Sequence, residues 1–112
     1  MTNIKRGQIY HMDLGEVEPG TITSVQKGKR YVIIVSNNKN NECAKTVNVL
    51  PCTSKTHKVY PFHADLEIYR ASLALAEQIV TVDKSALGEF VREASAAEMM
   101  GVDKAIRLQL GL

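Results

Sequence analysis

Between Tyr60 and Ile68 polar and apolar residues alternate without a break. Tyr60, Phe62, Ala64, Leu66 and Ile68 fall on one side, and Pro61, His63, Asp65 and Glu67 on the other. A period of two with one polar face predicts a strand that wets one side of a sheet. Other strands are marked by short apolar runs: Ile9 to Leu14, Arg30 to Ser36 and Thr46 to Cys52. Pro51 lacks an N–H, so it is expected at an edge or where the chain leaves the sheet. Leu73 to Val82 is a further β-rich run, broken by the polar pair Glu77-Gln78, and Glu89 to Arg92 is a last short strand. Asn37 to Glu42 is dense in Asn and reads as a turn. Asp83 to Leu87 reads as one helical turn.

The end of the chain changes period. Ser95-Ala-Ala-Glu98 is a capping-box pattern. After it, Met99, Val102, Ile106 and Leu110 recur on one side of a helix. Short strands at close spacing and a terminal helix predict a mainly β fold, a small curled antiparallel sheet or barrel with a C-terminal helix. Gly15 to Gly28 fits none of this. It is long for so small a domain, and such loops are functional or disordered.

Composition narrows the class. The chain has 112 residues with 45% hydrophobic content, enough for one core and one domain spanning 1–112. Its formal charge of +2 permits an anionic partner without demanding one. Cys43 and Cys52 form no Cys-x-x-Cys and no zinc spacing, so two ordinary thiols in a reducing, cytoplasmic setting are expected. The N-terminus has no apolar run after its charges, and Tyr31 to Val35 is too short to span a membrane. No cofactor or metal is expected.

Two stretches carry candidate chemistry. In "VNVLPCTSKTHK" an apolar strand runs into a thiol, two hydroxyls and a basic cluster. In "QKGKRYVIIVSNN" basic residues enter a buried strand. On composition alone, Arg30 is a solvated charge at a strand start and Thr53 a turn hydroxyl. The basic residues Lys5, Arg6, Lys27, Lys29, Lys55 and Lys58 are a solvated surface or a track for phosphates. Tyr31 and Tyr60 either join the core or stack on unpaired bases. His57 is the best placed histidine for proton transfer, but all three, His11, His57 and His63, read as ordinary surface or strand residues. Cys52 reads as a small buried hydrophobe. Glu77-Gln78 needs partners wherever it lies: it holds the barrel together, or Gln78 reads a base edge.

Taken in order, Arg6-Gly7-x-Ile9-Tyr10, Asp13-Leu14, Gln26-x-Gly28-x-Arg30, Val49-Leu50-Pro51-Cys52-Thr53, Tyr60-Pro61-Phe62, Leu75-Ala76-Glu77-Gln78-Ile79 and Asp83-Lys84 resemble the MazF/PemK family of toxin endoribonucleases from type II toxin–antitoxin modules. The resemblance covers nearly the whole chain. It implies an SH3-like barrel with a helix, a homodimer, and metal-independent cleavage of single-stranded mRNA. It also implies a cognate antitoxin with an acidic C-terminal segment. Carried over by position, the catalytic pair is Arg30 and Thr53. Gln26, Lys27, Lys29, Ser54, Lys55 and Gln78 are expected to hold the substrate. The chain departs from the family at Val25, where an acidic residue is usual, and at Tyr31, where Pro is usual.

That activity suits the residue types. RNA carries its own nucleophile: the 2′-hydroxyl attacks phosphorus, expels the 5′-oxygen and leaves a 2′,3′-cyclic phosphate. A guanidinium fork matches two phosphoryl oxygens, and a Thr hydroxyl can donate to one of them. Two other functions use the same fold. A CcdB-like gyrase poison would act through a C-terminal Trp-Gly-Ile, whereas this chain ends Gln-Leu-Gly-Leu and has no Trp. A family member that binds RNA or antitoxin without cutting is left open by Val25 and Tyr31 and opposed by Arg30 and Thr53.

Overall fold

The computed structural model describes residues 3–54 and 58–112. Seven strands form one antiparallel sheet: β1 (Gln8–Asp13), β2 (Lys29–Ile34), β3 (Thr46–Ser54), β4 (His63–Glu67), β5 (Ala71–Leu75), β6 (Val80–Asp83) and β7 (Leu87–Glu93). The main path is β4-β5-β3-β2-β1-β7, with β6 also paired to β3. The sheet is curled and not closed, because β4 and β7 end the path. Helix α1 (Asn38–Cys43) joins β2 to β3, and α2 (Ala96–Leu110) follows β7. The mainly β architecture with a terminal helix is the one that the periodicity predicts.

Alternation along the strands builds a core on each face. Ile9, Ile33, Leu50, Cys52, Ala64, Leu66 and Ala74 share one buried cluster, completed by Val102 and Ala105 of α2. Tyr10, Met12, Val32, Ile34, Val47 and Val49 form the other, with Leu14, Val82 and Leu87 against it. The 60–68 alternation holds where it is paired: Ala64, Leu66 and Ile68 are buried, while Asp65 and Glu67 are exposed. The strand itself covers only His63–Glu67, and Tyr60 is exposed.

Three sequence expectations change. The Asn-rich segment is a short helix, because Asn37 caps it by accepting from the Asn40 N–H at 2.8 Å. Asn41 is buried in it and donates to the Ser36 carbonyl at 2.8 Å, so these side chains tie the helix to the sheet. Pro51 does not end β3, which continues to Ser54. It pairs with Val32 on one side, and on the other it faces the gap between β5 and β6, where the ladder is already broken. Finally, Leu110 shares the helix side of Met99 and Ile106, which pack on the core, but is itself exposed, because it is the last residue of α2 and lies past Ala105, the last buried one.

The 73–82 run is two strands separated by a 3₁₀ turn at Ala76–Gln78. Both strands pair with β3, β5 at Cys52–Ser54 and β6 at Thr46–Val49. The register slips by three residues between them, the length of the turn. The polar pair seen in the sequence is therefore a bulge pushed out of the sheet. A second 3₁₀ turn, Lys84–Ala86, stands where one helical turn is predicted.

Helix α2 is held at its start. Ser95 Oγ accepts from the Glu98 N–H at 3.1 Å, and Glu98 Oε1 accepts from the Ser95 N–H at 2.9 Å. At its end Gly111 adopts φ 71°, the left-handed conformation that favours glycine.

Candidate functional site

Strand register brings the two predicted catalytic residues together. Met12 pairs with Arg30 and Tyr31 with Cys52. Carried one residue further, the second register sets Arg30 beside Thr53, on one face of the sheet. Thr53 pairs with Leu73, and Leu73 with Asp65. Met12, Arg30, Thr53, Leu73 and Asp65 thus form one row across five strands. Lys29 and Ser54 occupy the next row and leave by the opposite face.

Arg30 is exposed, and its Nε donates to the Lys27 carbonyl at 3.0 Å. Its two terminal nitrogens have no hydrogen-bond partner among the described residues. The same is true of the half-buried Thr53 hydroxyl. An open guanidinium fork and an open hydroxyl on neighbouring strands are suited to an anionic ligand.

Beside Arg30 lies a groove of about 560 Å³, lined by Gly15, Glu16, Val17, Thr23 to Gly28 and Arg30. The loop that forms it is pinched at its base. Leu14 N–H donates to the Gly28 carbonyl at 2.8 Å, and Gly28 N–H to the Gly15 carbonyl at 2.7 Å. Both glycines have positive φ, 94° and 78°, so the hairpin closes in a way other residues resist. Asp13 Oδ1 accepts from the Gly15 N–H at 2.9 Å and starts the turn. Gln26 and Lys27, two of the expected substrate-holding residues, line this groove. Val25 does too, and it is 59% exposed. Glu16, Val17, Thr23 and Ser24 were not singled out in the sequence; the flanking pair of glycines is the signal that marks them.

Gln78 behaves differently. Its Oε1 accepts from the Gln26 N–H and its Nε2 donates to the Ser24 carbonyl, both at 2.7 Å. It is not among the residues that line the groove. Of the two readings the sequence left open, this geometry matches the one in which Gln78 holds structure together.

The basic residues do not form one track. Gly7 N–H bonds the Ile34 carbonyl, which puts Lys5 and Arg6 at the far end of β2 from Arg30, roughly 15 Å away at about 3.3 Å per residue. Arg6 is also bound, to Asp103 at 2.6 Å and to the Val35 carbonyl at 2.9 Å. Lys58 sits over the Tyr60 ring, 5.2 Å from its centroid. Lys55 and His57 lie outside the described residues. Tyr31 points to the opposite face from Arg30 and packs edge-on against His11. Tyr60 is exposed and stacks on Phe62 with 5.2 Å between centroids.

The remaining candidates are bound or buried. His63 Nδ1 accepts from the Tyr60 N–H at 3.2 Å, and its Nε2 lies 3.2 Å from Glu77 Oε2. Burial pushes the Cys52 thiol up to about 12, so it stays protonated and is no nucleophile. Cys43 and Cys52 are both free. Among the described residues no group of three or more His, Cys, Asp or Glu is placed to hold a metal. No helix among them is long and apolar enough to cross a membrane.

Residues 5–110 match the family model of PemK-like, MazF-like toxins of type II toxin–antitoxin systems. The chain belongs to this family. Solved structures agree with it. An endoribonuclease in complex with its cognate antitoxin, from a mycobacterial species, is similar with a TM-score of 0.81 and 28% identity, over 97% of this chain and 96% of that one. A second mycobacterial endoribonuclease has a TM-score of 0.79 and 26% identity, over 100% of this chain and 95% of that one. MazF from Deinococcus radiodurans shares the fold, with a TM-score of 0.80 and 22% identity over 100% of both chains. The family's curled sheet and terminal helix are those described above, and the Arg30–Thr53 row lies at one end of that sheet.

Proposed function

We propose that this toxin is an endoribonuclease that cuts single-stranded mRNA without a metal ion. The observation that carries the reading is the Arg30–Thr53 row, where an open guanidinium fork stands next to an open hydroxyl. The scissile phosphate lies against them. Arg30 grips two phosphoryl oxygens and offsets the charge that grows on them, and Thr53 donates to one. The 2′-oxygen forms a bond to phosphorus and gives up its proton, the bond from phosphorus to the 5′-oxygen breaks, and that oxygen takes a proton. The products are a 2′,3′-cyclic phosphate and a 5′-hydroxyl. A guanidinium is a poor proton carrier, since its pKa is above about 12, so Arg30 acts as a clamp. Gln26 and Lys27 line the groove that receives the neighbouring nucleotides. Lys29, Ser54 and Lys55 add positive charge and polar contacts around the strand ends, where even a lysine on the reverse face acts within a Debye length of about 8 Å.

The same reading includes a homodimer and an antitoxin. Val17, Ile22 and Val25 are exposed on the 15–28 loop, an apolar surface for a partner to cover. An acidic antitoxin segment over Arg30 and this loop would compete with RNA for the same charges. Its binding should weaken as salt rises, and antitoxin and RNA should exclude each other.

The test is incubation of the purified protein with a single-stranded RNA transcript of mixed sequence in excess EDTA. Cleavage should persist, with cyclic phosphate and 5′-hydroxyl ends. Cleavage only with a divalent ion, or 5′-phosphate ends, would overturn the mechanism. No cleavage of any RNA, with antitoxin binding retained, would favour the family member that binds without cutting.

A further inference from the structure

We propose that Gln78 is a positioning residue for Arg30, acting through the backbone between Ser24 and Lys27. The proposal rests on the reading of Arg30 as the phosphoryl clamp. An arginine side chain at a strand end has much rotamer freedom to lose, and a clamp must be aimed before the phosphate arrives. Here the aim comes from one bond, Arg30 Nε to the Lys27 carbonyl at 3.0 Å. That bond uses Nε and leaves the two terminal nitrogens without a partner among the described residues. It is useful only if the Lys27 carbonyl is itself held still.

Lys27 sits between two anchored amides. On its C-terminal side, the Gly28 N–H is bonded to the Gly15 carbonyl at 2.7 Å. On its N-terminal side, the Gln26 N–H is bonded to Gln78 Oε1 at 2.7 Å, and the Ser24 carbonyl accepts from Gln78 Nε2 at the same distance. The Gln26 side chain does not help, since its Oε1 is buried with no partner among the described residues. One glutamine amide therefore fixes the segment on the side away from the hairpin base. Gln78 can reach it because the 3₁₀ turn at 76–78 bulges out of the sheet. A donor and an acceptor are both required, one for a carbonyl and one for an N–H, and the Gln78 carboxamide holds them on two separate atoms of one planar group.

The experiment compares the full-length wild type with Gln78→Leu, Arg30→Lys and the double variant, using an RNA oligonucleotide that spans a mapped cut. Gln78→Leu keeps the bulk and removes both bonds. Its kcat should fall about tenfold or more, as expected for a misplaced group, with KM within about threefold of wild type. Lysine has no Nε–H for the Lys27 carbonyl, so Gln78→Leu should cost little further in the Arg30→Lys background. Hydrogen exchange at the Gln26 amide should speed up. Multiplying losses in the double variant, a raised KM at unchanged kcat, or unchanged exchange would each overturn the proposal; the raised KM would instead make Gln78 a contact to RNA. If Gln78→Leu does not fold, Gln78→Glu decides. It keeps the acceptor but sets a carboxylate against the Ser24 carbonyl, so its kcat should fall, and a wild-type kcat would overturn the proposal. Full activity in Arg30→Ala would sink the reading of Arg30 and this proposal with it. An inactive Arg30→Ala beside a fully active Gln78→Leu would sink only the role of Gln78.

Discussion

Arg92 and Arg30 are both on strands, and they illustrate opposite uses of one side chain. Arg92 is fully engaged. Its Nε and Nη2 donate to the Glu67 carbonyl, its Nη1 to the Glu93 carbonyl at 3.0 Å, and the two terminal nitrogens to the two Glu98 oxygens at 2.9 and 2.8 Å. Glu98 in turn accepts from the Ser95 and Glu67 N–H groups. This clasp fastens the start of α2 and the end of β7 to β4. Among the described residues Arg30 makes one hydrogen bond, through Nε, and its two terminal nitrogens have no partner. An arginine whose donors are all satisfied inside the fold stabilises the fold. An arginine held by one atom beside a groove keeps donors that a ligand could use. Charge and exposure in the sequence do not separate the two; hydrogen bonding does.

The comparison predicts different failures. The largest should come from the open side. Arg30→Ala and Thr53→Ala should each lower kcat by about 10²–10³, the usual cost of one preorganised donor. RNA binding and melting temperature should change little, because neither fork nor hydroxyl supports the fold. Calorimetry beside single-turnover kinetics reads both. A loss of melting temperature equal to that of a core variant would mean that Arg30 is structural.

Arg92→Ala should do the reverse. It leaves the partly buried Glu98 carboxylate without its guanidinium partner, a cost of roughly 1–3 kcal/mol after allowance for solvent screening. The melting temperature should fall by about 5–15 °C, while kcat per folded molecule stays near wild type. Denaturant titration with an activity assay below the transition checks this.

A smaller effect is expected from restoring a charge to the groove. Val25→Glu puts a proton acceptor next to Lys27 and Arg30 without burying it, since Val25 is exposed. The cleavage rate should change by about tenfold, or its pH profile should shift, as positioned acid–base groups typically contribute about 10² or more. Unaltered rate and pH dependence would mean that the loop stays away from the phosphate.

The smallest effect lies in the pH dependence of the clasp. The bonds from Arg92 and from the Ser95 and Glu67 N–H groups hold the Glu98 carboxyl down to about 2, below the usual carboxylate range. Its folded value is below its unfolded one, so its contribution is fully present above about 4.3 and fades as pH falls towards about 2. Glu98→Gln should therefore flatten the fall in melting temperature across that window. Equal acid sensitivity in wild type and variant would contradict the clasp.

What was legible in the sequence follows from how local its cause is. The 60–68 alternation, the capping box at Ser95 and the break at Glu77-Gln78 are set by neighbours in the chain, and each has its counterpart in the structure. Asn37 to Glu42 is a helix where its composition predicts a turn: an Asn cap serves either, and the bonds that tie α1 to the sheet reach Ser36 and Thr46, outside the segment. Arg30 and Thr53 are candidates through the resemblance alone, since composition favours plain surface residues; the register sets them side by side, and their catalytic role is the proposal. Gln78's bonds to Ser24 and Gln26 span more than fifty residues, and no local pattern encodes them. Of the two readings of the basic residues, a solvated surface or a phosphate track, the sequence does not choose for a related reason: it shows that Lys5 and Arg6 are basic but not that Arg6 is tied to Asp103.

In the proposed function Arg30 acts through an open, oriented fork and not through charge alone. Arg30→Lys tests it most directly, because an ammonium keeps the charge but cannot grip two oxygens in one plane. Measured by single-turnover cleavage under saturating enzyme in EDTA, Arg30→Lys should bind RNA as wild type does and cut it at least about tenfold more slowly. A wild-type cutting rate in Arg30→Lys would contradict the account.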